Sequence, residues 1–141
     1  MDSTYLCFFD ASLKLEMSLW AAAESAVVEA CGLKLGSVGA LRSIAALGDS
    51  ARVQDLAVDL GITIGAVSKL VDRLEAADLV RRQPHESDGR SHVIGRTRKG
   101  ISTLDRALTA MDAALQAHLG DRETDVALRG LAKRLDRLAT G

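Results

Sequence analysis

Aromatic side chains are scarce in this chain: one Trp, one Tyr and two Phe make up 3% of 141 residues. With Ala and Leu abundant instead, the composition favours a helical protein. Proline occurs once, and apolar residues form 48% of the chain, which argues against disorder. Cysteine is limited to Cys7 and Cys31, far apart and without a CxxC pair. His85, His92 and His118 show no ligand spacing with them or with one another, so no metal site is expected. A serine-nucleophile elbow, a phosphate loop and a dinucleotide fingerprint are also missing, which speaks against an enzyme and against a cofactor. Long apolar runs are interrupted by Lys14, Glu16, Glu24 and Glu29, short of the roughly 18 residues that span a membrane. No basic leader precedes an apolar stretch. The expectation is one cytoplasmic domain, large enough to bury a core, with no membrane partner.

An excess of positive charge is missing too, since the net charge is −1. Its distribution is uneven, however. Residues 1–60 hold 4 Lys/Arg against 8 Asp/Glu, residues 61–100 hold 8 against 5, and residues 101–141 hold 6 against 6. A locally basic surface suffices for phosphate contact whatever the total. In that same basic region the pattern is distinctive. Arg52 to Leu60 reads as a short amphipathic helix ended by Gly61, and Thr63 is a good N-cap for a second helix over 64–77. Two short helices around a tight glycine turn form a helix-turn-helix, whose second helix enters the DNA major groove. Residues 79–83 and 91–97 then read as extended runs around a turn-rich tip, Pro84 to Arg90, which makes a wing.

The flanks are helical. Leu6, Phe9, Leu13, Met17 and Trp20 form one stripe of a helix over 4–31, about 40 Å long, with Gly32 as its stop. A second helix is expected over 35–47. Beyond the wing, Ile101, Leu104, Leu108, Met111, Leu115 and Leu119 form another stripe up to the break at Gly120-Asp121. Leu128, Leu131, Leu135 and Leu138 form a last one. These faces exceed what a winged-helix unit can cover, and an apolar face without a partner in its own chain generally meets a second copy.

The segments Leu56-Ala-x-x-Leu60-Gly-Ile-Thr63, Ser68-Lys-Leu-Val-Asp-Arg-Leu-Glu75, Leu79-Val-Arg-Arg82, Asp88-Gly-Arg90 and Thr97-Arg-Lys-Gly100 resemble the MarR family of bacterial winged-helix regulators. The match is dense over 52–100 and rests elsewhere on helix layout. The expected fold is mainly α: a winged helix-turn-helix, α+β with a small two- or three-stranded wing, plus N- and C-terminal dimerisation helices. Residues 1–34 and 101–141 would hold the dimer together, and 35–100 would bind DNA, all within one domain. The resemblance implies the same homodimer.

On the second motif helix, Val67, Leu70, Val71 and Leu74 face inward, leaving Gly65, Ser68, Lys69, Asp72 and Arg73 on the other side or its borders. Thr63 caps backbone N–H groups, Gly65 permits close approach, and Ser68 and Lys69 can bond bases or phosphates. Arg90, at the tip beside Gly89, can enter a narrow minor groove. Asp88 would orient a cation, Arg90 or Arg73. The family's Asp-x-Arg wing motif supports that assignment. Arg81, Arg82, Arg96, Arg98 and Lys99 are candidates for phosphate contact or for solubility alone. Three positions depart from the family pattern: Arg52 replaces a Thr or Ser cap, Arg96 an apolar strand residue, and Gly89 a basic wing residue.

The expected partner is a palindromic DNA duplex, bound by a ligand-responsive repressor. The resemblance implies a cleft for small aromatic or phenolic anions. Gly36 and Gly39 would either allow close helix packing or leave such space beside Trp20, Val38 and Arg42. Leu6-Cys7-Phe8 is similar to the sensor region of organic-hydroperoxide regulators, which makes a peroxide sensor the alternative. This chain lacks all but one of the surrounding tyrosines, so Cys7 is expected to be a buried small hydrophobe. A third option is a winged helix that binds protein and no DNA.

Overall fold

The computed structural model describes residues 3–120 and 125–140, with the backbone alone at 88–90. In chain order the elements are α1 (Thr4–Cys31), α2 (Leu35–Leu47), α3 (Val53–Leu60), α4 (Ile64–Ala76), β1 (Val80–His85), β2 (Asp88–Arg96), α5 (Arg98–Leu119) and α6 (Asp125–Thr140). The protein is mostly helical with a two-stranded antiparallel wing, as the sequence pattern predicts.

Each helix starts or stops for a local reason. The Thr63 side chain accepts the Ala66 N–H at 3.2 Å and opens α4. Thr97 does the same for α5 through the Gly100 N–H at 2.9 Å. Where a Ser or Thr cap is absent before α3, the Arg52 N–H donates to the Asp55 carboxylate at 2.8 Å. The carboxylate of the third helical residue thus stands in for the missing hydroxyl. The α3–α4 turn needs φ +64° at Gly61, a value that L side chains rarely adopt.

A single core joins all of these elements except α6. Val27 of α1, Leu41 and Ile44 of α2, Leu56 of α3, Val67, Val71 and Leu74 of α4, Val80 and Ile94 of the wing, and Leu104 and Ala107 of α5 are buried together. Each fully buried aliphatic side chain contributes about 1.5–3 kcal/mol relative to exposure. Because Val27 and Leu104 belong to this core, packing runs across the expected boundaries at 34 and 101. α1 also packs along α5, and Ser18 and His118 share a hydrogen bond across that contact.

The wing has two strands, within the two or three expected, but differs from the sequence expectation in their extent. Its strands extend into the segment read as the tip: β1 runs to His85 and β2 begins at Asp88, so Glu86 and Ser87 alone make the turn. The register shift between Pro84 and His85 accommodates that tight closure. A third strand is reduced to one bridge, Ala51 to Ile94.

Side chains two apart on a strand share a face. Val80 and Ile94 both point into the core, so Arg82 and Arg96, two residues further on, emerge on that same face. Each pairs across the ladder with the other strand's core residue, Val80 with Arg96 and Arg82 with Ile94. This placement determines what both arginines do.

Candidate nucleic-acid interface

The buried stripe Val67, Leu70, Val71 and Leu74 fixes the rotation of α4. Thr63, Gly65 and Lys69 are exposed and Ser68 is half-buried, all on the outward side of the first two turns. The free N–H groups of the first turn are offered beside them. Arg73 is exposed one turn beyond Lys69, about 40° around the helix from it at 3.6 residues per turn, and it also lines a cleft with Trp20 and Leu74. The backbone of Asp88, Gly89 and Arg90 lies in β2 at the far end of the wing. Their side chains, and with them the expected pairing of Asp88 with Arg90 or Arg73, lie outside the described residues.

The other cations of this region divide sharply. The Arg82 guanidinium donates to Glu75 Oε2 and Asp72 Oδ1, both at 2.6 Å, and its backbone N–H donates to Glu75 Oε1 at 3.0 Å. Arg96 grips Asp49 with two parallel bonds of 2.8 Å, Nε to Oδ1 and Nη2 to Oδ2. Its side chain is 16% exposed. That explains an arginine where an apolar strand residue is usual: it anchors β2 to the α2–α3 loop. Lys99 donates to the Ala77 carbonyl at 2.8 Å, which complements the C-terminal end of α4. Arg81 makes an exposed pair with Asp78 at 3.2 Å, a contact worth little in water. Among the described residues, Lys69, Arg73 and Arg98 make no ion pair. Arg82, Arg96 and Lys99 are therefore held by the protein itself.

The carboxylates respond accordingly. Glu75 is held below its ordinary value of 4.5 by the Arg82 N–H and then by its guanidinium. Asp49 is lowered from 3.8, chiefly by the Arg96 side-chain bonds and against the opposing effect of burial. Burial opposes the charge on Arg82, yet the bonds to Asp72 and Glu75 outweigh it and raise its pKa. Sequence reasoning missed Asp49, Asp72 and Glu75 as partners. The signal was present in the strand alternation, which puts each arginine on the face of a core residue.

A cleft of about 410 Å³ opens between α1, α2 and α4. Trp20 and Gly36 line it as expected, but Gly39 and Arg42 do not. Val38 is fully buried in the core and unavailable to a ligand. A Cβ on Gly36 or Gly39 would meet nothing within 4 Å, so close helix packing does not account for either glycine in this chain. The charged residues on the walls are Glu24, Lys34 and Arg73. Glu24 is already engaged, accepting the Leu35 N–H at 2.5 Å at the start of α2. The cleft thus offers two cations, an indole and one preoccupied acid.

A different face is apolar. Phe8, Leu15 and Leu19 of α1, Leu115 of α5, and Leu131 and Leu135 of α6 line a groove of about 730 Å³. No residue of α6 is buried. Cys7 is exposed on this part of α1, contrary to the expectation of a buried small hydrophobe. The reason is that this end of α1 carries no buried residue; those of α1 are Ala23 and Val27.

Two helices around a left-handed glycine, a capped second helix with an outward polar face, and an adjoining β-hairpin define a winged helix-turn-helix DNA-binding protein. The sequence profile of the MarR family matches residues 33–92. Solved structures agree along nearly the whole chain. A MarR-family regulator from Rhodococcus sp. RHA1 superposes with a TM-score of 0.86 at 21% identity, covering 99% of this chain and 96% of that one. AbsC from Streptomyces coelicolor gives 0.83 at 26%, covering 99% and 95%. CouR, solved on a 23-mer DNA duplex, gives 0.83 at 23%, covering 92% and 89%. CouR from Rhodococcus jostii RHA1 has also been solved with p-coumaroyl-CoA, and matches at 0.76 and 25%, covering 89% and 87%. No curated protein sequence matches. Residues 33–92 thus carry the sequence pattern of the MarR family of transcriptional regulators, within a fold shared with MarR-family structures along nearly the whole chain.

Proposed function

We propose that this protein is a dimeric repressor that binds an inverted-repeat operator and is released by a small aromatic anion. The observation that carries the DNA-binding part is the outward face of Thr63, Gly65, Ser68 and Lys69, fixed by the buried stripe of α4 beside the wing. Thr63 and the first-turn amides suit a phosphate, while Ser68 and Lys69 suit base edges or backbone. Asp88 and Arg90 at the wing end suit minor-groove entry, with the carboxylate orienting the guanidinium.

Dimerisation is supported by the apolar faces of α1 and α6. Tyr5 is 85% exposed and Leu138 70%, values that a second copy would reduce. Charge favours the same pairing, because residues 1–60 are acidic and α6 carries Arg129, Lys133, Arg134 and Arg137. In this assignment the N-terminal half of α1, the far end of α5 and all of α6 hold the dimer, and 35–100 meets DNA. Two α4 helices on a twofold axis would sit about 34 Å apart, one turn of DNA. Such a role places the protein with the chromosome, in the cytoplasm.

For release, the cleft between α1, α2 and α4 holds the proposed effector. Trp20 would stack on an aromatic ring, and Arg73 and Lys34 would meet its carboxylate or phenolate. CouR, whose bound p-coumaroyl-CoA is an aromatic thioester, lends support to that class. The test is selection of duplexes from fragmented genomic DNA, followed by titration of wild type and Arg90→Ala. A palindromic consensus and about tenfold weaker binding of the variant are expected. Equal affinity at moderate salt would remove Arg90 from the interface, and no enriched sequence would leave a protein-binding module instead.

A further inference from the structure

We propose that Arg82 is a positioning residue for DNA recognition: it sets the angle between α4 and the wing, and does not itself contact phosphate. This rests on the DNA-binding role above and goes beyond it, since Arg82 is otherwise one of five cations available to a polyanion.

The geometry assigns this role through three features. First, the bonds reach along α4 from Ser68 to Glu75. Besides the two carboxylates, Arg82 Nη2 lies 3.5 Å from the Ser68 carbonyl, a weak third contact one turn earlier. One side chain on β1 therefore touches two turns of the helix that carries Ser68 and Lys69. Second, the guanidinium is committed, with Nη1 on Glu75 and Nη2 on Asp72. Its side chain is 27% exposed, against 68% for neighbouring Arg81. Third, the link is rigid. A guanidinium is a planar fork that can hold two carboxylates at fixed angles, which a lysine ammonium cannot reproduce. The backbone N–H of the same residue bonds the same Glu75, so strand and helix are joined through main chain as well as side chain.

The arrangement also explains an otherwise unfavourable feature. Asp72 lies on the polar side of α4 with its side chain 63% exposed, where a carboxylate would repel DNA. Held by Arg82, it serves as a fixed attachment point for the wing.

The positioning role and simple charge effects predict opposite signs. The double variant Asp72→Asn with Glu75→Gln removes two negative charges and releases Arg82. Electrostatics alone would tighten DNA binding. Loss of the link should weaken it about tenfold, within the range by which members of one bonded network couple. Arg82→Lys keeps the net charge but loses the fork, and a similar loss is expected. Arg82→Gln reports whether the cation itself meets phosphate. A lost phosphate contact lowers the slope of log Kobs against log salt by about 0.9 per charge, while a positioning residue leaves the slope unchanged.

The probe is a duplex selected by the wild-type protein, with all measurements made well below each variant's melting temperature. A double variant that binds as tightly as wild type or tighter would overturn the proposal, and so would a slope reduced by about one in Arg82→Gln. Wild type that binds no duplex would overturn the DNA-binding role and this proposal together. Wild type that binds, with variants that match it, would overturn the positioning role alone.

Discussion

Gly100→Ala tests the junction on which wing and helices depend. A Cβ at Gly100 would stand 1.9 Å from the Leu79 carbonyl oxygen and 2.9 Å from its carbon. Real contacts of that kind do not fall below 3.0 Å, so the first turn of α5 must retreat by more than 1 Å. Leu79 has nowhere to go, because its N–H donates to the Leu74 carbonyl at 2.9 Å and its oxygen accepts the Thr97 N–H at 3.0 Å. Thr97 Oγ1 is tied to the Asp78 carbonyl at 2.7 Å, and Lys99 to Ala77 at 2.8 Å. Overpacking costs about 1–3 kcal/mol, and stretching one or two of these bonds adds about 1 kcal/mol each. Helix propensity returns less than about 1 kcal/mol at a first-turn position. The net loss is about 2–4 kcal/mol, a drop of about 10 °C in melting temperature for a chain of this size. Thermal denaturation at one fixed protein concentration measures it, since association makes Tm concentration-dependent. Gly36→Ala is the internal control: nothing lies within 4 Å of its added carbon, so its Tm should hold or rise. A Gly100→Ala protein melting within about 2 °C of wild type would refute the reasoning. An equal fall in Gly36→Ala would do the same.

Three further outcomes are expected. Asp49 and Glu75 have folded pKa values below their ordinary 3.8 and 4.5, so their stabilisation is complete above those values and is lost as pH falls through the folded ones. Melting temperature should be level near neutrality and fall below about pH 4.5; Arg96→Gln should melt lower at pH 7, with the gap closing in acid. Leu135→Asp alters a side chain that is 47% exposed in the single chain, so its own packing should hardly change. Sedimentation should show a monomer with weakened DNA binding, whereas an unchanged dimer would exclude α6 from the interface. Peroxide treatment should leave DNA binding of wild type and Cys7→Ser alike, because the chain has a single tyrosine and, among the described residues, no hydrogen bond or ion pair engages the thiol; release of wild type alone would favour the sensor reading.

Much of this architecture is legible in the sequence because period and punctuation agree. α4 is marked by Thr63 before it and by apolar residues at 67, 70, 71 and 74, which the core then buries. α1 and α2 end where Gly32 and Gly48 allow a left-handed cap. The wing is less legible for a physical reason. Pro, Gly, Ser and Asp between 84 and 90 carry turn propensity, yet ladder bonds extend the strands to His85 and from Asp88. Tertiary context overrides local preference there, as it often does in sheets.

The role of each arginine is the least legible feature, since composition treats all cations alike and location distinguishes them. Arg81 and Arg82 are adjacent, but strand alternation sends the first into solvent and the second along the face of Val80 onto α4. Arg96 follows Ile94 in the same way and meets Asp49, which follows Gly48 in a left-handed conformation of its own. A count of positive charge therefore overstates the surface available to DNA. Arg82, Arg96 and Lys99 maintain the shape of the wing and its junctions. Among the described residues, Lys69, Arg73 and Arg98 are the Lys and Arg of this region whose side chains make neither an ion pair nor a hydrogen bond. Lys69 and Arg73 are one turn apart on the exposed side of α4, and Arg73 also lines the cleft, so the surface proposed for the operator and the cleft proposed for the effector meet on one helix. An anion bound at Arg73 would act on the same rigid body that Arg82 holds to the wing, and could shift helix and wing together relative to the DNA.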